Sequence, residues 1–317
     1  MAQKSFMKDL FRSISNTKAR FLSIMAIIAL GVGFFAGINA TEPDMLLSAD
    51  RYYQEHNLLD FRLVSALGFE AGDIERVRET EGVEIVQEGY SKDLFLNSSE
   101  GTAVTVRLFS YDPADYQENS GLNQPVLVEG RMPAQSGEIA LDHGLNLPDE
   151  IKIGSEVTLS VAEGETASDY LKTETYTVVG FINSPMYIDY ERGQTNIGDG
   201  SISLFAYIGK TDFNIGKATD LFIRTAGSLS ISAYTDAYKT QLSAADDLLT
   251  ALGQEIVSAD IQEMRDKLDQ SKSDLQANKD KAEQELADGE QKLLDAEEKL
   301  LDGGQELMPM AETFFAE

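Results

Sequence analysis

The residue types that usually carry catalysis form no known catalytic pattern in this chain. Gly209-Lys210-Thr211 has the ending of a phosphate-binding loop, but the first glycine of that loop belongs at position 204, which is Leu204. His56 and His143 are the two histidines and lie far apart in sequence, and neither GxSxG nor HExxH occurs. The sequence therefore predicts a protein that is not an enzyme, with no catalytic residue, no cofactor and no cofactor-binding residue.

A glycine-bearing loop carries the acidic side chains of Asp189, Glu191 and Asp199. Oxygen ligands of this kind suit calcium, but their spacing is not that of a calcium-binding hand. We interpret the loop as a solvated turn and predict no metal site. The chain has no cysteine, which excludes disulfides and thiolate metal ligands.

The first structural element that the sequence predicts is a membrane span. The run from Phe21 to Ala40 has no charged residue and, as a helix, reaches about 30 Å, the thickness of a bilayer's hydrocarbon core. The segment before it is basic, and such residues stay on the cytoplasmic side. Its charged residues are Lys4, Lys8, Arg12, Lys18 and Arg20, against one acidic residue, Asp9. We predict a single-pass plasma-membrane protein with a cytoplasmic amino terminus and an extracytoplasmic body.

Two other interpretations of this run remain open. A cleaved signal peptide also has a basic start and an apolar core, and Ala40 suits cleavage, but the run is long and Ile38 stands where a small residue is needed. A buried helix of a soluble protein is usually apolar on one face rather than all round. Length and uniform hydrophobicity favour the span at 21–40.

Two amino-terminal features predict binding surfaces. Within the cytoplasmic segment 1–20, residues 5–17 place apolar and charged side chains on opposite helical faces, which suits the inner membrane surface; a plain basic flank is the alternative. Along the span, Ala29, Gly33 and Gly37 recur every four residues. A transmembrane helix from another chain can pack closely against such small residues.

The rest of the chain has the composition of a folded, acidic α+β body. For the whole chain the hydrophobic fraction is 42%, with 15 Phe and 12 Tyr, and the net charge of −28 argues against nucleic acid as a partner. After a connector at 41–57, we predict a helix at 70–80 with Ile74 and Val77 facing inward. Alternating apolar residues predict strands at 61–65, 83–96, 103–111, 126–129, 138–141, 156–161, 174–182, 201–208 and 220–224, followed by an amphipathic helix at 228–252.

The order and lengths of these strands predict two subdomains. Residues 58–111 together with 201–258 follow the order of a split β-α-β unit. Residues 112–200 have shorter strands and more frequent glycine and proline, which indicates a small β-rich subdomain inserted into the first.

The last long element, residues 259–307, has the pattern of a coiled-coil helix. Its apolar residues follow a 3-4 heptad spacing and then recur every seven residues, with one stutter between Ala282 and Leu286. The predicted seam consists of Ile261, Met264, Leu268, Leu275, Ala282, Leu286, Leu293, Leu300 and Leu307. The other faces are charged, so the seam requires a second helix; residues 308–317 form a tail.

Several motifs resemble, in order and spacing, the front part of FtsX-like ABC transporter permeases with a MacB-like extracytoplasmic core domain. They are RFLSIMAIIALGVGFFAG (20–37), VEGR (128–131), GEIALD (137–142), GSEVTL (154–159), TYTVVG (175–180) and IGDGS (197–201). The resemblance covers nearly the whole chain. It implies that 58–111 plus 201–258 is a porter-like subdomain, and the coiled coil is similar to the ascending arm of a hairpin in Gram-positive members.

The resemblance implies a permease component whose outer domain and coiled coil transmit conformational change or bind an extracellular partner. The partners implied are a cytoplasmic ABC ATPase, the remaining permease helices or a second permease copy, a helix that pairs with the coiled coil, and the lipid bilayer. Such permeases have further membrane helices, so we expect a truncated permease that does not transport alone. The alternative is a stand-alone membrane-anchored surface protein with a coiled-coil oligomerisation stalk.

Overall fold

The computed structural model describes residues 2–118 and 120–314, except for the side chains of residues 2–5, 9, 10 and 302–314. Contacts divide the chain into two units, Met1–Leu249 and Thr250–Glu317. The helices are α1 (Ala2–Asn16), α2 (Lys18–Glu55), α3 (Ala71–Arg78), α4 (Pro113–Glu118) and α5 (Asp236–Phe314). The strands are β1 (Phe61–Phe69), β2 (Val83–Gly89), β3 (Ser91–Ser98), β4 (Ala103–Tyr111), β5 (Val126–Gly130), β6 (Glu138–Asp142), β7 (Glu156–Ser160), β8 (Thr175–Asn183), β9 (Leu204–Gly209) and β10 (Ala218–Thr225). The predicted α+β class is confirmed.

A three-stranded antiparallel sheet has the order β1-β10-β2, and α3 packs on β2. On α3, Ile74 and Val77 are 7% and 0% exposed, as predicted. The prediction of one strand over 83–96 is wrong, because the chain leaves this sheet at Tyr90 and enters a second sheet as β3. Gly89 permits the change of sheet, since a Cβ there would lie 2.6 Å from the ring of Phe222.

The second sheet has seven strands in the order β5-β8-β6-β9-β4-β3-β7. An additional antiparallel pairing between β7 and β8 closes six of these strands into a ring. β5 stays outside the ring, paired with the carboxyl-terminal half of β8. Strands from 112–200 therefore share one sheet with β3, β4 and β9, and the predicted subdomain boundary stays a prediction.

Two hydrophobic cores lie on opposite sides of the ring wall. Leu204, Ala206 and Ile208 of β9 face the core inside the ring, whereas Phe205 and Tyr207 face a second core. That second core includes residues of the three-stranded sheet. Both faces of β9 are consequently buried, and the alternation of side chains along the strand determines which core each one enters.

Helix α2 joins the predicted span and the predicted connector into one element. It runs from Lys18 to Glu55 through Pro43, and it is long and apolar enough to cross a membrane. Its apolar side chains are exposed; Phe34 and Phe35, for example, are each 70% exposed. Within the described residues, this part of α2 therefore has no protein core to bury it.

Helix α5 begins later than predicted. The amphipathic pattern placed its start at Ser228, but residues Ser228–Ser230 form a single 3-10 turn and the α-helix starts at Asp236. The hydroxyl of Thr235 accepts a hydrogen bond of 3.3 Å from the amide of Tyr238, so Thr235 caps the first turn. The two helices predicted at 228–252 and 259–307 are one α-helical stretch.

Candidate functional site

The small residues predicted to pack a second transmembrane helix all lie on α2. A Cβ added at Gly33 or Gly37 would meet nothing within 4 Å, and Ala29 is exposed. The strip is thus accessible, and its role in helix packing stays a prediction.

The predicted coiled-coil seam lies along α5. Its larger side chains are exposed, from 41% at Ile261 to 78% at Leu300. The side chain of Leu307 lies outside the described residues. Pairing of the seam with a second helix stays a prediction.

Two of the three loop acids rejected as metal ligands bind local donors through their carboxylates. Asp199 accepts hydrogen bonds from the amide and hydroxyl of Ser201, and Asp189 accepts one of 2.6 Å from the amide of Tyr190. In the part of the chain that the structure describes, no group of three or more His, Cys, Asp or Glu side chains can hold a metal ion.

A polar cluster joins the end of α2 to the start of α5, and we call it the α2–α5 junction: Asp50, Tyr53, Asp60, Tyr234 and Tyr238. Asp50 is on the last turns of α2 and is only 8% exposed. Its Oδ1 accepts a hydrogen bond of 3.0 Å from the amide of Ala233, just before α5. The same helix that is lipid-compatible at Phe34 is thus fixed by a buried carboxylate to the segment that leads into α5.

A pair of tyrosines strengthens this connection. The rings of Tyr53 and Tyr234 are stacked, with centroids 6.5 Å apart, and their hydroxyl oxygens are 3.4 Å apart. Burial, helped by the Tyr234 hydroxyl and the nearby Asp50, raises the pKa of Tyr53 well above its ordinary value. Tyr53 therefore remains a neutral hydrogen-bonding group at physiological pH.

Asp60, which follows α2, connects three elements. Its Oδ2 accepts hydrogen bonds of 2.7 and 2.8 Å from the amide and hydroxyl of Thr225 at the end of β10. Its Oδ1 accepts one of 2.6 Å from the hydroxyl of Tyr238 on α5. The amide of Asp60 donates to the carbonyl of Ile223 at 2.8 Å. The three-stranded sheet and the first turn of α5 are thus held to one carboxylate.

The chain leaves α2 through Asn57, whose φ of 51° is in the left-handed region that asparagine tolerates. Its carbonyl accepts a hydrogen bond of 2.8 Å from the amide of Asn123, and that of His56 accepts one of 2.9 Å from Gln124. The carbonyls of the two residues that follow α2 are therefore bound by the segment before β5.

An ion pair joins two of the family-like motifs, VEGR (128–131) and GEIALD (137–142). Arg131 binds both oxygens of Glu138 at 2.6 and 2.5 Å, and the amide of Ala134 donates to Glu138 at 2.9 Å. Hydrogen bonds from Arg131 are the largest cause that lowers the pKa of Glu138 to about 2. The pair closes the segment between β5 and β6.

A second ion pair holds the segment between β8 and β9 to the ring wall. Asp142, which is 1% exposed, accepts a hydrogen bond of 2.6 Å from Nε of Arg192. The Arg192 guanidinium also lies over the rings of Phe205 and Tyr187, 5.6 and 5.8 Å from their centroids. Burial raises the pKa of Asp142, and Arg192 opposes that shift.

Sequence reasoning missed the α2–α5 junction. Its acids and tyrosines belong to no motif, and Asp50 is 183 residues from its partner Ala233. Asp50 carried no signal of its own, because Glu42, Asp44, Arg51 and Glu55 are also charged residues of the connector. For the ion pair of Arg131 and Glu138, the sequence indicated only the motifs that contain the two residues and did not indicate their contact.

Among known proteins, the chain is similar to solved structures of transporter ectodomains. No family model and no curated protein match the chain. Among solved structures, it is similar to the extracellular domain of the noncanonic ABC-type transporter YknZ from Gram-positive bacteria, at 13% identity, 60% coverage of this chain, 87% of that chain and a TM-score of 0.29.

Two further structures are similar at the same level. The periplasmic region of MacB from Actinobacillus actinomycetemcomitans matches at 11% identity, with 63% and 84% of the two chains covered and a TM-score of 0.30. A domain of a putative permease protein from Porphyromonas gingivalis matches at 15% identity, with 60% and 73% covered and a TM-score of 0.30. These TM-scores are low, and the function of this chain does not follow from them.

Proposed function

We propose that the chain is a membrane-anchored component of an FtsX-like, MacB-like ABC transporter permease whose outer domain transmits conformational change. The observation that carries the proposal is the continuity of α2. One helix begins at Lys18, passes through the apolar run and ends at Glu55, and Asp50 and Tyr53 on its last turns bind the segment before α5. The motifs that resemble the family support the same assignment.

In this proposal, a shift of the membrane helix moves the junction directly. A packed helix transmits small translations or rotations because its backbone hydrogen bonds keep it rigid along its length. From Asp50 the movement reaches the start of α5, and from Asp60 it reaches β10 and the three-stranded sheet. Pro43 is the one proline inside α2 and has no amide to donate to the preceding turn, so bending would concentrate there.

The partners follow from the exposed surfaces. The apolar part of α2 fits the bilayer, and the strip of Ala29, Gly33 and Gly37 fits a remaining permease helix or a second permease copy. The exposed seam of α5 fits a pairing helix. A cytoplasmic ABC ATPase would act from the amino-terminal side, with residues 41–317 outside the cell.

The test is purification of the tagged full chain from detergent-solubilised native membranes. We expect an ABC ATPase and further permease helices to be recovered with it. We also expect Asp50→Asn to reduce ATP-driven activity of the recovered complex, whereas Asp247→Asn, at an exposed position of α5, leaves it unchanged.

Two outcomes would contradict the proposal. Recovery of the tagged chain alone removes the transporter role and leaves a surface protein with a coiled-coil stalk, for which the exposed seam is the supporting feature. Release by an alkaline carbonate wash, or protection of the body from protease added to intact protoplasts, removes the membrane topology as well.

A further inference from the structure

A small cavity of about 30 Å³ lies at the α2–α5 junction, within the first unit. Asp50 and Tyr53 of α2, Asp60, Tyr238 of α5 and Ser228 of the 3-10 turn are among its lining residues. The space is about that of one water molecule or one small ion. Every one of these five side chains presents an oxygen atom, and the cavity has no nitrogen or sulfur ligand from histidine or cysteine.

The two carboxylates at this cavity have no cationic partner. Asp50 is 8% exposed and Asp60 is half-buried, and neither forms an ion pair with a lysine or arginine in the described part of the chain. The tyrosine, threonine and backbone donors bonded to them supply hydrogen bonds but no net positive charge. Buried carboxylates are normally paired with a cation or bound to a metal, because desolvating an uncompensated charge is costly.

Ser228 provides an independent observation. The residue is 3% exposed, it lines the cavity, and its hydroxyl oxygen has no hydrogen-bond partner. Buried hydroxyl groups nearly always have a partner, so this oxygen is available to a ligand in the cavity. A buried oxygen without a donor is suited to a cation.

We propose that the junction binds a calcium ion through Asp50, Asp60 and Ser228. Calcium is a hard cation that takes carboxylate, hydroxyl, carbonyl and water oxygens in flexible geometry, and its two charges balance the two carboxylates. Magnesium demands near-ideal octahedral geometry and dehydrates reluctantly, so it should compete poorly at this site. With only two carboxylates, the affinity should be weak, with a Kd on the order of 10⁻⁴ to 10⁻³ M, as in extracellular modules.

The consequence is a link between the end of α2 and the turn before α5 that depends on the ion. Asp50 belongs to α2, Asp60 immediately precedes β1, and Ser228 belongs to the turn after β10. A bound ion would therefore tie together the same elements that the hydrogen bonds join. The inference requires neither the membrane topology nor the ATPase.

The experiment uses the full chain in detergent, treated with a chelator and dialysed into about 0.15 M salt to weaken binding at exposed acids. Terbium, which replaces calcium, emits when a nearby tyrosine is excited, and the chain has no tryptophan to interfere. We expect a saturable tyrosine-sensitised signal that calcium displaces and that magnesium displaces poorly. Calorimetry with calcium alone measures the affinity.

Three variants decide the location of the site. Asp50→Asn should weaken calcium binding about tenfold or more, since a charged ligand becomes neutral, and Ser228→Ala should weaken it measurably with little risk to folding. Tyr53→Phe keeps the ring but removes the tyrosine chromophore that sensitises terbium, so it should lower the emission while leaving the calorimetric affinity close to that of the parent. Asp247→Asn, exposed and outside the cavity, should match the parent.

The proposal is overturned if no saturable site exists at this salt concentration, or if Asp50→Asn and Ser228→Ala bind calcium as the parent does. Equal loss in Asp247→Asn would show diffuse binding to surface acids, which also overturns it. Circular dichroism of each variant distinguishes lost binding from lost folding.

Discussion

Tyr238, in the first turn of α5, donates a hydrogen bond of 2.6 Å to Asp60, 178 residues earlier in the chain. The contact joins the first turn of α5 to the residue immediately before β1. Burial, together with this bond, raises the pKa of Tyr238 above its ordinary value. The hydroxyl consequently stays protonated and keeps donating across the physiological range.

Removing that donor should loosen the junction. Tyr238→Phe keeps the ring and deletes the hydroxyl, and a hydrogen bond to a charged group contributes about 1.5–3 kcal/mol. We expect a lower midpoint in thermal unfolding of the full chain, followed by near-ultraviolet circular dichroism. Tyr190→Phe is the matched control, because Tyr190 is 78% exposed. An unchanged midpoint for Tyr238→Phe would show that the bond contributes nothing to stability.

The ion pair of Arg131 and Glu138 predicts a pH dependence. The pKa of Glu138 is about 2 in the folded chain and about 4.3 in an unfolded one. A lowered folded-state pKa stabilises the fold above pH 4.3, and this contribution disappears as pH falls towards 2. Glu138→Gln should thus destabilise the protein at pH 7 and differ progressively less from the parent below pH 4.

The measurement is the unfolding midpoint of parent and variant from pH 7 to pH 2.5. The side chain of Arg131 is 53% exposed, so the difference at pH 7 should shrink in high salt. A stability difference that stays constant down to pH 2.5 would argue against a titrating ion pair.

Two glycines give opposite predictions for the same substitution. A Cβ at Gly180 of β8 would fall against the carbonyl oxygen of Arg131 on the adjoining segment, which is backbone and cannot move aside cheaply. Gly72 of α3 has nothing within 4 Å of the same atom. Gly180→Ala should therefore destabilise the protein by about 1–3 kcal/mol, as overpacking usually does. Gly72→Ala should stabilise the protein by about 0.5–1 kcal/mol.

Urea unfolding of both variants tests this pair. If Gly180→Ala unfolds at the parent's midpoint, β8 and the Arg131 segment do not approach as closely as described.

The small-residue strip of α2 predicts association within the membrane. Gly33→Val places a branched side chain on the strip formed with Ala29 and Gly37, and it should reduce the fraction of chain cross-linked to a neighbouring helix in native membranes. Gly31→Val adds the same volume two residues away, about 200° around the helix, where it should have little effect. Equal cross-linking of both variants would mean that the strip is not the contact.

The sequence predicted the regular elements well where a repeating pattern exists. Ile74 and Val77 on α3 are buried as their spacing indicated, and every predicted strand overlaps a described one. The break at Tyr90 was missed because apolar alternation continues through it and says nothing about which sheet a strand joins. The start of α5 was missed because the amphipathic pattern runs back to Ser228; the capping hydroxyl of Thr235 was the better signal.

The junction was harder to predict for a different reason. Asp50, Asp60 and Tyr238 acquire their roles only when chain segments far apart in sequence meet, and a lone aspartate on a helix has no periodicity to reveal its partner. The bidentate pair of Arg131 and Glu138 is separated by seven residues and a turn, so its geometry also depends on β5 and β6 being in place.

The pairing of β7 with β8 leaves the six-stranded ring without a terminal strand. Unzipping of an open sheet starts at a strand that is held on one side only, whereas each strand of this ring has two neighbours for at least part of its length. Amide protons of β3, β4, β6 and β9 should therefore exchange with deuterium together, through opening of the whole ring rather than by fraying from one side.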